Sequence, residues 1–373
     1  MRRVVLTALL VLLPVTLLAA EETEQTDDLR LILNELDLSE WDRWFVESAP
    51  DTEFVPSEFL TTVMLEGTVP NEPSDWMEGL WNAARAEFLL IARKGILYLG
   101  FGVLTAFIGG VLPLENSDTA EIAVRVLGGC MVLGLCSPAL QETVALLERI
   151  RDGAQVLLPA LLGFFSLFDF SASGPVLISQ IAFLSDVAIQ IGIDWVIPLA
   201  LFGGMVQAID CFPGQRIGSI SRLCLRIGRW LLRIASSVYL TVTAIRGTVA
   251  VHADSVFFRT AKLATGSLPF VGGLVSGSVD TLFECVRLTR SMLGLTGVLV
   301  LGGTVLKPMI RLLLEQLMLK GCAALMLPLG AQSYAELLLR LSDMFGLILL
   351  VVIVSYVWTA GTFGLVMGVW QGI

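Results

Sequence analysis

The residues in this chain best able to do chemistry are ionisable or conformationally unusual side chains set among apolar ones. Asp280 and Glu284 stand four apart, with Arg287 and Arg290 on the following turns. Local ion pairs can satisfy all four on one helical face. Just before them lie Pro269, Gly272, Gly273 and Gly277, then Thr281. Gly273, Gly277 and Thr281 recur every fourth residue and form a small-residue stripe, which lets another helix approach at backbone distance. Pro269 and the paired glycines predict a broken or re-entrant helix. Such backbone survives at membrane depth only where protein buries it or where it lines a watery cavity. Two readings stay open for 259–290: a kinked packing surface, or a segment lining a pathway. Arg125, Asp186, Asp194 and Asp210 also lie in or beside apolar stretches, where a charge is costly and normally turned toward a partner or water.

Sequence signatures of catalysis are missing. The dipeptide Gly-Lys never occurs, so there is no P-loop. His252 is the one histidine, with no HExxH around it, and neither GxGD nor GxSG is present. Gly277-Ser278-Val279-Asp280 is the nearest approach to the former. The six cysteines (130, 136, 211, 224, 285, 322) include no CxxC pair and none lies in 21–80. They read as small apolar packing residues, not as a zinc site or disulfide framework. The expectation is a non-enzymatic protein without cofactor or metal.

The elements that hold these residues are set by hydropathy. The chain is 55% hydrophobic and 16% charged, against about a quarter charged in soluble domains. Residues 1–20 have the form of a signal peptide: Arg2-Arg3, an apolar run over 4–18, then Ala19-Ala20; an uncleaved anchor is the alternative. Both put the chain from residue 21 onward outside the cytoplasm. Residues 21–80 hold 17 Asp or Glu against two Arg and form an acidic extracytoplasmic arm. Apolar spacing over 29–45 predicts a short amphipathic helix. The shortage of apolar residues predicts an arm that is solvated and partly disordered unless a partner orders it.

Residues 81–373 form the membrane domain. A helix over 76–95, with Trp76 and Trp81, is expected to lie on the membrane surface. Apolar stretches succeed it near 96–114, 121–140, 154–170, 175–192, 194–212, 231–251, 291–306, 308–328 and 344–370. The fourth and fifth read as a hairpin, and two or three of the nine are candidates for re-entrant or interfacial segments. The fold class is all-α: a polytopic helical membrane protein with about seven to nine transmembrane or re-entrant helices. Arg222, Arg226, Arg229 and Arg233, spaced four, three and four, share one helical face. Without acids among them they predict a cytoplasmic anchor on anionic lipid headgroups. Counting spans from this loop puts residue 95 and 252–290 outside and the C-terminus in the cytoplasm. Arg85, Arg93 and Lys94 run against the positive-inside rule, which a surface-lying 76–95 helix would explain.

The segment RTAKLATGSLPFVGGLVSGSVDT (259–281) resembles the signature of the stage III sporulation protein AE family: Arg-Thr-Ala-Lys, a Pro-containing turn, then Asp-Thr. The LNELDL-type helix in the acidic arm and KPMIRLLLEQLMLKGCAALMLPLG (307–330) occur in the family's order, so the resemblance covers roughly 29–370. Leu327-Pro328-Leu329-Gly330-Ala331-Gln332 departs from the family's Gly-Asp pattern, within what the span count makes the last extracytoplasmic loop. The resemblance implies a membrane component of a secretion-like channel in endospore formers, in the mother-cell membrane around the forespore. It implies partners from the same operon: other membrane and ring-forming proteins, an ATPase and a forespore-side channel protein. No nucleic acid partner is implied. Alternatives are a self-sufficient small-solute transporter and a membrane scaffold.

Overall fold

The structure, a computed structural model, describes residues 39–48, 55–66, 73–111, 117–168, 173–209, 218–266 and 272–368; within 244–266 and 272–295 the helical backbone alone is described. Regular elements in these residues are all helices. Two short ones, α1 (Ser39–Ser48) and α2 (Pro56–Glu66), precede α3 (Pro73–Val111), α4 (Ser117–Phe168), α5 (Ser173–Ile191), α6 (Ile197–Ile209), α7 (Gly218–Gly266), α8 (Gly272–Met326) and α9 (Gln332–Gly368). Five stretches are long and apolar enough to cross a membrane: Ala84–Phe107, Leu127–Val156, Ser179–Val206, Thr296–Met326 and Tyr334–Phe363. The all-α membrane class is as expected. Among the described residues the spans are fewer than seven to nine.

Part of the difference has a physical cause, since neighbouring apolar stretches belong to single helices; the 231–251 stretch of α7 runs beyond the residues whose side chains are described. The stretches near 121–140 and 154–170 are parts of the 52-residue α4. Pro308 lies inside the 55-residue α8 and does not end it. Proline removes one N–H, a loss that a packed membrane helix tolerates. The expected hairpin near 193 is instead a π-helical turn, Gly192–Val196, in which the Ile197 N–H bonds the Gly192 carbonyl. The widened turn carries the helix past Pro198, whose ring would otherwise meet the carbonyl four residues back. Segment 76–95 lies in the first part of the 39-residue α3, and from Ala84 on it is already part of the first span.

Side-chain register fixes the directions of the helices. Lys94 pairs with Glu315, and Gly95 and Gly102 face Met318 and Met326, so α3 and α8 run parallel. Tyr98 meets Cys136 while Gly128 meets Phe101, so α4 returns antiparallel to α3. Gly203 faces Cys224 and Gly228 faces Val196, which makes α7 antiparallel to the α5–α6 helix. Gly228 also faces Leu347, and Tyr239 bonds the Trp358 carbonyl, so α7 and α9 are parallel. The result is an up-and-down bundle in which α7 runs alongside the five apolar spans. At the centre stands α9. Leu338, Leu341, Phe345, Ile348, Val352 and Phe363 are among its buried residues at spacings of three, four and their sums. A helix buried over most of its circumference belongs in the middle of such a bundle, and Leu339, Leu350 and Val357 mark its one exposed stripe.

This register corrects the expected sidedness. The turn 327–330 reverses the chain with Leu329 N–H bonding the Met326 carbonyl and Gly330 at φ 84°, a left-handed conformation suited to glycine. Because α8 is one helix, that turn lies at the bundle end of Gly203 and Cys224, away from the arm and not beside it. Phe363 then comes back to the end of Arg151 and Asp186, with which it lines a small cavity. The described end of α9 therefore shares the arm's end of the bundle, against the expected opposite placement of the C-terminus.

The described part of the arm is docked, not loose. Trp44 and Phe45 are buried, and the Trp44 ring lies over Gly153 of α4. Helix α2 packs on α8. Pro56 opens α2 with Glu58 in its first turn, and Asp42 Oδ1 accepts the Ser57 N–H at 3.0 Å. These are helix-start features that satisfy orphan donors and complement the dipole. Trp44, Phe45 and Phe59 are too few for a core of their own; the long helices supply the other wall.

Candidate functional site

At mid-depth of the bundle, charged side chains from three helices meet. Glu87 and Lys94 of α3 are seven residues apart on one face, with Tyr98 one turn further on. Glu142 projects from α4. Arg311 and Glu315 of α8 are four apart, on the face that also buries Leu312, Leu319 and Cys322. Lys94 Nζ donates to Glu315 Oε1, and Arg311 Nη1 donates to Glu142 Oε2. Arg311 Nε lies 3.8 Å from Glu87 Oε2. The Glu315 side chain is 0% exposed and that of Lys94 15%.

Burying such ions is costly, and mutual attraction offsets the cost only when geometry and extra hydrogen bonds are good. Here they are incomplete. Glu315 Oε2, Glu87 Oε2 and Arg311 Nε are buried without a hydrogen-bond partner. Three carboxylates also stand against two cations in this cluster. Around it, Tyr98 Oη lies 3.5 Å from Cys136 Sγ, Tyr334 Oη donates to the Tyr98 carbonyl at 3.2 Å, and Ser342 Oγ donates to the Gln316 carbonyl at 3.3 Å. The chemistry is electrostatic: the cluster ties α3, α4 and α8 together. Among the described residues no group of three or more His, Cys, Asp or Glu could hold a metal ion.

A second polar cluster lies at the arm's end. Arg151 Nε donates to Asp186 Oδ1 at 2.6 Å and Gln155 Nε2 to the same oxygen at 3.2 Å. The buried Ser185 Oγ beside them has no partner. Asp186 is thus inward and paired, as an intramembrane carboxylate should be. Asp194 behaves differently: it is exposed on the π-helical turn and receives only the Gln190 amide, at 2.6 Å, among the described groups.

The four arginines of α7 lie on its outer face, all exposed, opposite or beside the buried Ser221, Cys224, Leu225, Gly228 and Leu232. They do not all sit at headgroup level. Arg222 is near the bundle end marked by Gly203. Arg229 follows Gly228, whose neighbours Val196 and Leu347 fall near the middle of their spans. Arg233 is one turn further along, just past the middle. A central arginine costs on the order of 3 kcal/mol on insertion scales, so the outer face of α7 is not ordinary lipid-facing surface.

Pro269 lies outside the described residues, as does Asp210. Gly272, Gly273, Gly277, Asp280 and Thr281 belong to the first turns of α8, and only the helical backbone is described there. α7 ends at Gly266 and α8 begins at Gly272. The ionic cluster was not singled out from sequence. The available signal was the face shared by Ile91, Lys94 and Tyr98 on α3 and by Leu312, Glu315, Leu319 and Cys322 on α8.

Among known proteins, residues 55–368 match the family described as stage III sporulation protein AE. A curated relative, stage III sporulation protein AE of Bacillus subtilis (strain 168), is 22% identical over 275 residues, covering 71% of this chain and 68% of that protein. No solved structure matches.

Proposed function

Because this chain belongs to the stage III sporulation protein AE family, we propose that it is a non-enzymatic integral membrane subunit of a channel between mother cell and forespore, needed for late forespore development. It sits in the mother-cell membrane around the forespore with its acidic arm extracytoplasmic. Its partners are the membrane and ring-forming proteins of its operon, the ATPase that supplies energy, and the forespore-side channel protein. The observation that carries this reading is the ionic cluster of Lys94, Glu315, Arg311, Glu142 and Glu87, which cross-links three helices. Cross-linked helices suit a rigid platform, whereas alternating-access transporters rock one group of helices against another.

One observation favours a second reading. The surplus carboxylate in that cluster would suit a cation-coupled solute transporter. Reconstitution separates the two. A platform subunit purified alone into vesicles moves no solute under an imposed ion gradient and co-purifies with the other operon proteins from sporulating cells. Gradient-driven uptake by the chain alone would overturn the platform reading.

A further inference from the structure

Arg226, Arg229 and Arg233 have no carboxylate partner among the described residues, although all three are exposed. Arg229 reaches only the carbonyl of its own Leu225, at 3.2 Å. Lipid headgroups do not relieve the two deeper ones. From the middle of a span the nearest headgroup is about half of a ~30 Å hydrocarbon core away, beyond what an arginine stem can cover by snorkelling. The exposed Leu223, Ile227, Trp230 and Ile234 beside them sit equally well in lipid or against protein, so the arginines decide what this face needs. It needs a carboxylate at mid-depth.

The chain itself displays one. Asp194 is exposed, and Val196, two residues on, faces Gly228, so Asp194 lies at the depth of Arg229. Within one molecule these groups stay apart: among the described residues no ion pair joins Asp194 to α7. A two-fold axis along the membrane normal preserves depth and applies every contact twice. We propose that the outer face of α7 is an interface with a second copy of this chain, in which Arg229 and Arg233 of one protomer pair with Asp194 of the other. This rests on the reading of the chain as an integral membrane subunit. It adds self-association as a step in assembly.

The test uses the full chain in lipid nanodiscs, with subunits counted by single-molecule photobleaching. The wild type is expected as a dimer. Arg229→Asp with Arg233→Asp, or Asp194→Arg alone, should lower dimer occupancy roughly tenfold or more. Combining the three substitutions should restore most of it. The pair Arg229→Lys and Arg233→Lys should retain dimers, which separates loss of charge from loss of fold. A monomeric wild type overturns the proposal, as does a combined charge reversal that stays monomeric while retaining its thermal transition. An acidic membrane protein of another kind occupying this face in place of a second copy also overturns it. Spore yield from the same variants is read separately: monomers that still support sporulation sink the interface and leave the channel reading intact.

Discussion

At the residue scale the ionic cluster makes the sharpest statement about stability. Lys94 and Glu315 come from positions 221 residues apart in the chain. Removing one partner strands a buried charge, so Lys94→Met or Glu315→Gln alone should destabilise by about 3–5 kcal/mol. Replacing both with apolar residues of similar size should recover most of that loss or exceed it. Thermal unfolding of the three variants in detergent checks this, and equal losses in single and double variants would contradict it. Gly153 offers a second case. A Cβ there would stand 2.4 Å from the Trp44 ring, which is rigid and buried. Gly153→Ala should therefore cost about 1–3 kcal/mol and lift α1 from the bundle. Faster proteolysis around residues 39–48 in that variant, with the membrane helices intact, is the expected sign. Neither feature was legible beforehand. A charge on an apolar face names no partner, and nothing local to Trp44 points to Gly153.

At the scale of elements, what was legible tracks periodicity. The apolar run near 344–370 announces a membrane helix, and α9 is that helix, with a stripe of Leu339, Leu350 and Val357 left exposed. The boundaries were not legible because Pro308, Gly192 and Asp194 have the residue types of turns. In the folded chain a π-helical turn absorbs Pro198, and α8 simply continues through Pro308. This has a consequence that can be measured. With α8 uninterrupted and α7 running the length of the bundle, the described end of α9 and the described part of the arm share a side, and the 327–330 turn faces the other way. Reporter fusions after residues 80 and 373 should give the same compartment, and an insertion at 329 the opposite one. Opposite signals from 80 and 373 would require a further crossing or an interrupted α8.

At the scale of the whole molecule, the bundle is held by specific contacts more than by any drive to escape water, since lipid is as apolar as leucine. Glycines that admit Met318, Met326 and Leu347 at close range, and the cross-helix ion pairs, take over that role. The described part of the arm fits the same scheme: Trp44, Phe45 and Phe59 pack against the bundle, with α1 on α4 and α2 on α8. The family signature over 259–281 was the most recognisable sequence, yet it falls where α7 ends and α8 begins, away from the ionic cluster that sequence did not single out.

The lengths of those two helices carry one more implication. α7 has 49 residues and α8 has 55, so each is more than twice as long as the ~20 residues a bilayer needs. From Thr243 to Gly266 and from Gly272 to Thr296 each axis runs about 35 Å. Pivoted at the rim of the bundle, such a pair acts as a lever. A tilt of about 10° at the base would swing its tip by roughly 6 Å on that rise per residue, so small rearrangements among the spans are magnified at Gly266 and Gly272.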